Sequence, residues 1–273
     1  MSYSIAGKTA IITGAANGVG LAIAHHFVDQ GANVVLADRD ETRLKAEVAR
    51  MSRSDERAIF FAGDLRERLT LANLISATVD TFDKIDILVN ATRQCASCDP
   101  LDDQSDAVEQ SLQQNLLASL KLSQLVAKRM LFQAEAEGVT GGDRRNAIGS
   151  IINMSSIAAR RSQPELMAYS IASAALDQMT RAMAVALAGR RIRVNGVALG
   201  SVMSANLKDK IDTNEDYRER IVQQTPMRRI GAASEAAEAV QFLASDAAAF
   251  MTGQIITIDG GRTLMDPVSV PAH

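Results

Sequence analysis

Tyr169 and Ser173 stand four positions apart in "AYSIASAAL", residues 168–176. The alanine content predicts a helix there, so the two side chains share one face. A tyrosine hydroxyl is an acid–base group, but a free one titrates near ~10, and it serves near neutrality only beside a positive charge. No lysine lies within two turns, and Arg181 is eight residues beyond Ser173. Taken alone, the pair fits an acid–base centre or an ordinary tyrosine on a small-residue packing face.

A second constellation binds rather than reacts. "TGAANGVG", Thr13 to Gly20, follows the apolar run "TAIIT" and opens a helical-period segment, the setting a dinucleotide fingerprint requires. Gly14, Gly18 and Gly20, with Asn17 and Val19 between them, permit a tight turn and close backbone approach. A pyrophosphate would then meet the unpaired N–H groups and dipole of a helix N-terminus. Asp38 follows Gly20 by 18 residues at the end of the next β-branched run. A carboxylate there accepts hydrogen bonds from ribose hydroxyls and repels a 2'-phosphate, which predicts NAD(H) over NADP(H). Arg39 follows it directly and softens that preference.

"CASC", Cys95 to Cys98, has the spacing of a redox pair or half a zinc site. With no second ligand pair and no thioredoxin-like context, it reads as two loop thiols, and no metal is predicted. Leu176, Met179, Met183 and Leu187 step along the tyrosine helix at helical spacing, which marks a core or subunit face.

The elements that position these residues alternate along the chain. Short apolar runs near 8–13, 33–38, 58–62, 86–90, 149–155, 192–198 and 254–258 read as strands, separated by longer helical-period segments. Strand and helix in alternation predict an α/β fold, a Rossmann-type doubly wound parallel sheet of about seven strands with helices on both faces. Continuous apolar character says both sheet faces are buried. Gly31 closes the first helix. No linker or repeat breaks the rhythm, so 1–273 reads as a single domain with core 7–261 and a tail at 262–273. Residues 134–149 read as a surface excursion, and 204–231 as a lid on the substrate side.

Composition bounds the function. With 47% apolar residues the chain buries a sizeable core, and 29 Lys plus Arg against 32 Asp plus Glu leave no electrostatic footprint for nucleic acid. No run reaches the length of a membrane span, and no export signal precedes Lys8. The expected setting is cytoplasmic and the expected partner a small molecule.

With "TGAANGVG", Asp38, "GDL" at 63–65, "SIINMSS" at 150–156, Tyr169 and "FMTGQIITIDGG" at 250–261 in order, the chain resembles the short-chain dehydrogenase/reductases from about Gly7 to Gly261. The resemblance implies hydride transfer between nicotinamide and an alcohol or ketone, in a homodimer or homotetramer. By position it makes Tyr169 the acid–base residue, Ser156 the substrate-orienting serine and Asn115 a member of a proton relay. Asp64 and Leu65 fall at the adenine, and Asn90, Gly200, Val202 and Ser204 along the rest of the cofactor. Three departures gather at the nicotinamide end. Ser173 replaces the family's lysine, "NATR" at 90–93 puts Arg93 where a glycine is usual, and Leu199–Gly200 stands for Pro-Gly. Arg93 admits two readings: it blocks the nicotinamide, or it supplies the missing charge. Arg160 and Arg161 are weaker candidates for that role. The competing function is an NAD(H)-binding pseudoenzyme, a sensor or silent subunit.

Overall fold

The computed structural model describes residues 3–51, 57–138 and 147–266. Seven strands form one parallel sheet: β1 (Thr9–Thr13), β2 (Asn33–Asp38), β3 (Ala58–Ala62), β4 (Ile87–Asn90), β5 (Gly149–Ser156), β6 (Ile192–Leu199) and β7 (Ile255–Ile258). Their spatial order is β3-β2-β1-β4-β5-β6-β7. The expected Rossmann-type sheet is the observed one, with strand ends within a residue of the predicted positions.

Alternation along the strands divides the core in two. Ile12, Leu36, Val89 and Ile152 face one side, against Ile23 and Phe27 of α1 (Gly18–Asp29) and Val240 and Leu243 of α9 (Ala233–Ala244). Ile11, Val35, Leu88 and Ile151 face the other, against α3 (Arg68–Phe82) and α5 (Ala118–Ala136). Each such side chain contributes about 1.5–3 kcal/mol on burial, so helices on both faces are what the apolar runs demand. The remaining helices are α2 (Glu41–Met51), α4 (Ala107–Leu112), α6 (Met167–Ala188), α7 (Ala205–Thr213) and α8 (Glu215–Gln223). Gly31 takes φ +82° just past α1, as the closing of that helix requires.

The 204–231 segment is ordered by its own caps. Ser204 Oγ accepts from Leu207 N at 3.3 Å to start α7, and Asn214 Oδ1 accepts from Asp216 N at 3.2 Å to start α8. Its two ends are pinned together where Met203 N donates to Gly231 O (2.8 Å) and Gly231 N to Ser201 O (3.0 Å). On α6, Leu176 and Met179 are buried, while Met183 and Leu187 are half-buried against the second core. Of the expected excursion at 134–149, residues 139–146 lie outside the described residues, as do 267–273 of the tail.

Arg193, buried on β6, was not singled out in the sequence. It donates to Leu243 O (2.7 Å) and Ser245 O (3.1 Å) and so closes the C-terminal end of α9 against the sheet.

Candidate active site

β1 and β4 are neighbours whose connections leave in opposite directions, so a crevice opens beyond their C-terminal ends. Thr13 Oγ1 accepts from Ala91 N (3.0 Å) and Thr92 N (3.2 Å), which ties the loop after β4 to the end of β1. The three glycines do different work. Gly14, at φ +65°, has Ala91 O and Thr92 2.8 Å from where a Cβ would stand, and a Cβ on Gly20 would lie 2.3 Å from Gly14 O. Those two let strand, turn and helix pack. Gly18, at φ +58°, has only Ser204 Cβ at 3.6 Å, so its missing side chain keeps the crevice open. Asn17 places no side-chain cap on α1, which leaves first-turn N–H groups available to a ligand.

This crevice encloses about 400 Å³ and is lined by Asn17, Val19, Asp38, Leu65 and the three glycines. Asp38 is fixed at its far end, Oδ1 accepting from Arg39 N (2.6 Å) and Asp40 N (3.2 Å), Oδ2 from Ala16 N (3.3 Å). Arg39 also lines the crevice. Two residues expected here from the sequence have their side chains engaged by protein partners. Asp64 is clasped by the Arg66 guanidinium, whose hydrogen bond holds its carboxyl down at about 2, while Gly63 and Leu65 do the lining. Asn90 donates to Ser123 Oγ (2.9 Å) and Asn153 Oδ1 (2.8 Å) and is buried among them.

A second hollow of about 220 Å³ adjoins the first, with Arg93, Cys95, Leu199 and Ser204 common to both. Gly200 and Val202 line this one and not the nucleotide-sized crevice. Tyr169 and Ser156 meet here. Tyr169 is 3% exposed, and its hydroxyl has no partner among the described residues. A buried hydroxyl left unbonded is costly, so a ligand oxygen is its natural complement. The Arg93 guanidinium carbon lies 5.4 Å from the Tyr169 ring centroid, within cation–π range. Ser156 ends β5, where its Oγ also accepts from Ala158 N at 3.1 Å.

Below Tyr169, Ser173 and Asp177 continue the same buried face of α6. Burial pushes the Asp177 carboxyl up, opposed by a hydrogen bond from Ser155 and by the charges of Arg181 and Arg160. Ser155 Oγ also stands 3.5 Å from Ser173 O.

Asn115 lines neither hollow. It sits in a single π turn, Gln113–Leu117, between α4 and α5, with Oδ1 accepting from Gln94 N (2.7 Å) and Nδ2 donating to Gln94 O (2.8 Å). The asparagine thus braces the loop that carries Arg93. Its neighbour Gln114 does face the crevice, with Oε1 buried and unbonded. Thr13, Gln94, Gln114 and Asp177 were not marked by the sequence, because their roles depend on contacts from distant segments. Cys95 and Cys98 are free thiols, and Cys98 N donates to Glu165 O at 2.9 Å.

The family model described as enoyl-(acyl carrier protein) reductase matches residues 14–263. The 7α-hydroxysteroid dehydrogenase of Escherichia coli (strain K12) is 32% identical over 255 residues, covering 93% of this chain and 94% of that protein. The chain belongs to the short-chain dehydrogenase/reductase family. Another oxidoreductase relative, the 3-oxoacyl-(acyl-carrier-protein) reductase of Thermotoga maritima, is 32% identical over 261 residues, 94% of this chain and 98% of its own. A solved 7α-hydroxysteroid dehydrogenase complexed with NADH and 7-oxo glycochenodeoxycholic acid superposes with a TM-score of 0.85 at 32% identity, covering 95% of each chain.

Proposed function

We propose that this family member is an NAD(H)-preferring oxidoreductase that interconverts an alcohol and a ketone, with Arg93 acting at Tyr169 in place of the family's lysine. The observation that carries the reading is the guanidinium 5.4 Å from the centroid of the tyrosine ring, whose buried hydroxyl has no hydrogen-bond partner among the described residues. A cation on a ring face interacts more strongly with a phenolate than with a phenol, because the ring then carries negative charge.

The residues present fit a dinucleotide. Gly18 leaves space at an uncapped helix start, and Asp38 offers acceptors at the far end, where a 2'-phosphate would meet a carboxylate. The related solved enzyme holds NADH, which supports the same assignment. When bound, the nicotinamide would supply the site with hydride chemistry at C4. Tyr169 takes the hydroxyl proton as the carbinol carbon gives up hydride, and returns it in reduction. Ser156 orients the substrate oxygen, and Asn115 holds the Arg93 loop in register.

The test is the rate of alcohol oxidation on the best member of a secondary-alcohol panel. Removing the charge in Arg93→Gln should lower kcat by about 10- to 100-fold, since the reacting hydroxyl loses its neighbouring cation. Arg93→Lys should recover much of the loss, and Ser173→Lys in the Arg93→Gly background should restore the rate. A rate that rises when Arg93 is removed would mean that the arginine obstructs the site. NADH binding without turnover of any panel member would leave the pseudoenzyme reading, a nucleotide-binding chain with a silent reaction centre.

A further inference from the structure

We infer that the substrate is an oxo or hydroxy compound bearing an anionic group, a carboxylate or phosphate, set away from the reacting carbon. The inference rests on the oxidoreductase reading and names the substrate class for the same site. The hollow under Tyr169 opens into a neighbour of about 380 Å³, with Gln163, Leu166, Ser201, Leu207 and Arg262 common to both. Together they are lined by Arg93, Arg161, Arg220 and Arg262, drawn from four separate segments, and by no aspartate or glutamate among the described residues. Carboxylates outnumber basic side chains, 32 to 29, in the chain as a whole. A lining with four guanidinium groups and no acid runs against that balance.

Among the described residues none of these four arginines is ion-paired with a carboxylate, a state that Arg129 and Arg228 elsewhere share. Arg43, Arg50, Arg66 and Arg229 each pair with a carboxylate. Arg161 instead donates to the Thr263 carbonyl and Arg262 to Ser201 Oγ at 2.9 Å, neutral acceptors that orient the guanidinium without cancelling its charge. Asp259, outside both linings, feels the Arg262 charge, but its carboxylate accepts from Gly261 N (2.9 Å) and Thr263 N (2.7 Å) and makes no ion pair with it among the described residues. Four like charges around one opening repel each other, and an anion relieves that repulsion. Guanidinium forks suit the paired oxygens of a carboxylate or phosphate.

Position then separates the roles. Arg93 is committed to the Tyr169 ring, whereas Arg220 lines only the outer hollow and Arg262 stands between the two. The anion therefore belongs in the outer hollow, beside Arg220 and Arg262, with the reacting carbon inside near Tyr169 and Ser156. The shared lining of Leu166 and Leu207 suits an apolar spacer between them.

Calorimetric titration of the NADH complex tests this without depending on turnover. The probes are medium-chain carboxylates with an oxo group at carbons 3 to 6, each paired with its neutral methyl amide, and the matching oxoalkyl phosphates. At least one carboxylate or phosphate should bind tenfold or more tightly than its neutral partner. That preference should shrink at 0.5 M salt on the order-of-magnitude scale expected of screened charges, and fall at least fivefold in Arg220→Ser and Arg262→Gln. Equal binding across every pair, or binding by none of the anionic members, overturns the inference. Failure of NADH itself to bind would instead overturn the nucleotide reading. The same pairs titrated into the cofactor-free protein would then decide the anion preference separately.

Discussion

Asp177 lies two turns beyond Tyr169 on α6, withdrawn from water, with Oδ1 unbonded among the described residues. Desolvation raises its carboxyl above the unfolded value, and the Ser155 hydrogen bond and the Arg181 and Arg160 charges only partly offset this. A raised folded value means that the folded state holds the proton more tightly. Keeping Asp177 ionised at neutral pH therefore lowers stability, and that penalty fades as the pH falls to the unfolded carboxylate range near ~4. Asp177→Asn should raise stability at pH 7 by about 1 kcal/mol, or about 2 to 4 °C in melting temperature, with the gain disappearing near pH ~4. Melts at both pH values check the sign, and a loss at pH 7 would show that the carboxylate is paired better than its unbonded oxygen implies. Tyr169, Ser156 and Ser173 were legible as residues because their spacing matches a pattern. Asp177 was not, because its meaning comes from burial.

The turn between β1 and α1 shows how far an element can be read from spacing. Three glycines in "TGAANGVG" look equivalent in sequence, yet their surroundings assign them to different tasks. Gly20→Ala places a methyl 2.3 Å from a backbone oxygen and should cost about 1 to 3 kcal/mol or more, since strand and helix must separate. In Gly18→Ala the new methyl meets nothing nearer than 3.6 Å, and the expected cost is about 1 kcal/mol for a residue at positive φ. NADH binding, however, should weaken at least tenfold, because that methyl points into the crevice. Melting and titration of both variants separate packing from binding, and equal loss of NADH affinity at equal stability would contradict the division. The π turn at Gln113–Leu117 is an element that spacing did not reveal. Asn115 within it grips Gln94, a contact across 21 residues. The same limit held for 204–231, where the helix caps Ser204 and Asn214 were present in the sequence but the pinning of Ser201 and Met203 to Gly231 was not.

At the scale of the molecule, ligand binding and stability are linked across the sheet. The crevice is assembled from β1, β2 and β4 ends together with α1, so a dinucleotide bound there holds segments that would separate on unfolding. NADH at 100 times its Kd should add about 2.7 kcal/mol, which is about 5 to 10 °C in melting temperature for a chain of this size. NADPH at the same concentration should add much less, and Asp38→Ser should narrow the difference. Equal shifts from the two cofactors in the unaltered protein would contradict the role given to Asp38. The parallel sheet, its order of elements along the chain and the glycine-rich turn after β1 followed from the sequence by itself, because strand burial, helix amphipathicity and glycine conformation are local or periodic properties of the chain. The company that Arg93 keeps with Tyr169, the gathering of arginines around the hollow under that tyrosine and the protein partners of Asp64, Asn90 and Asn115 were decided only by the tertiary structure. Each depends on which distant segments share a space, and neither periodicity nor spacing carries that distance.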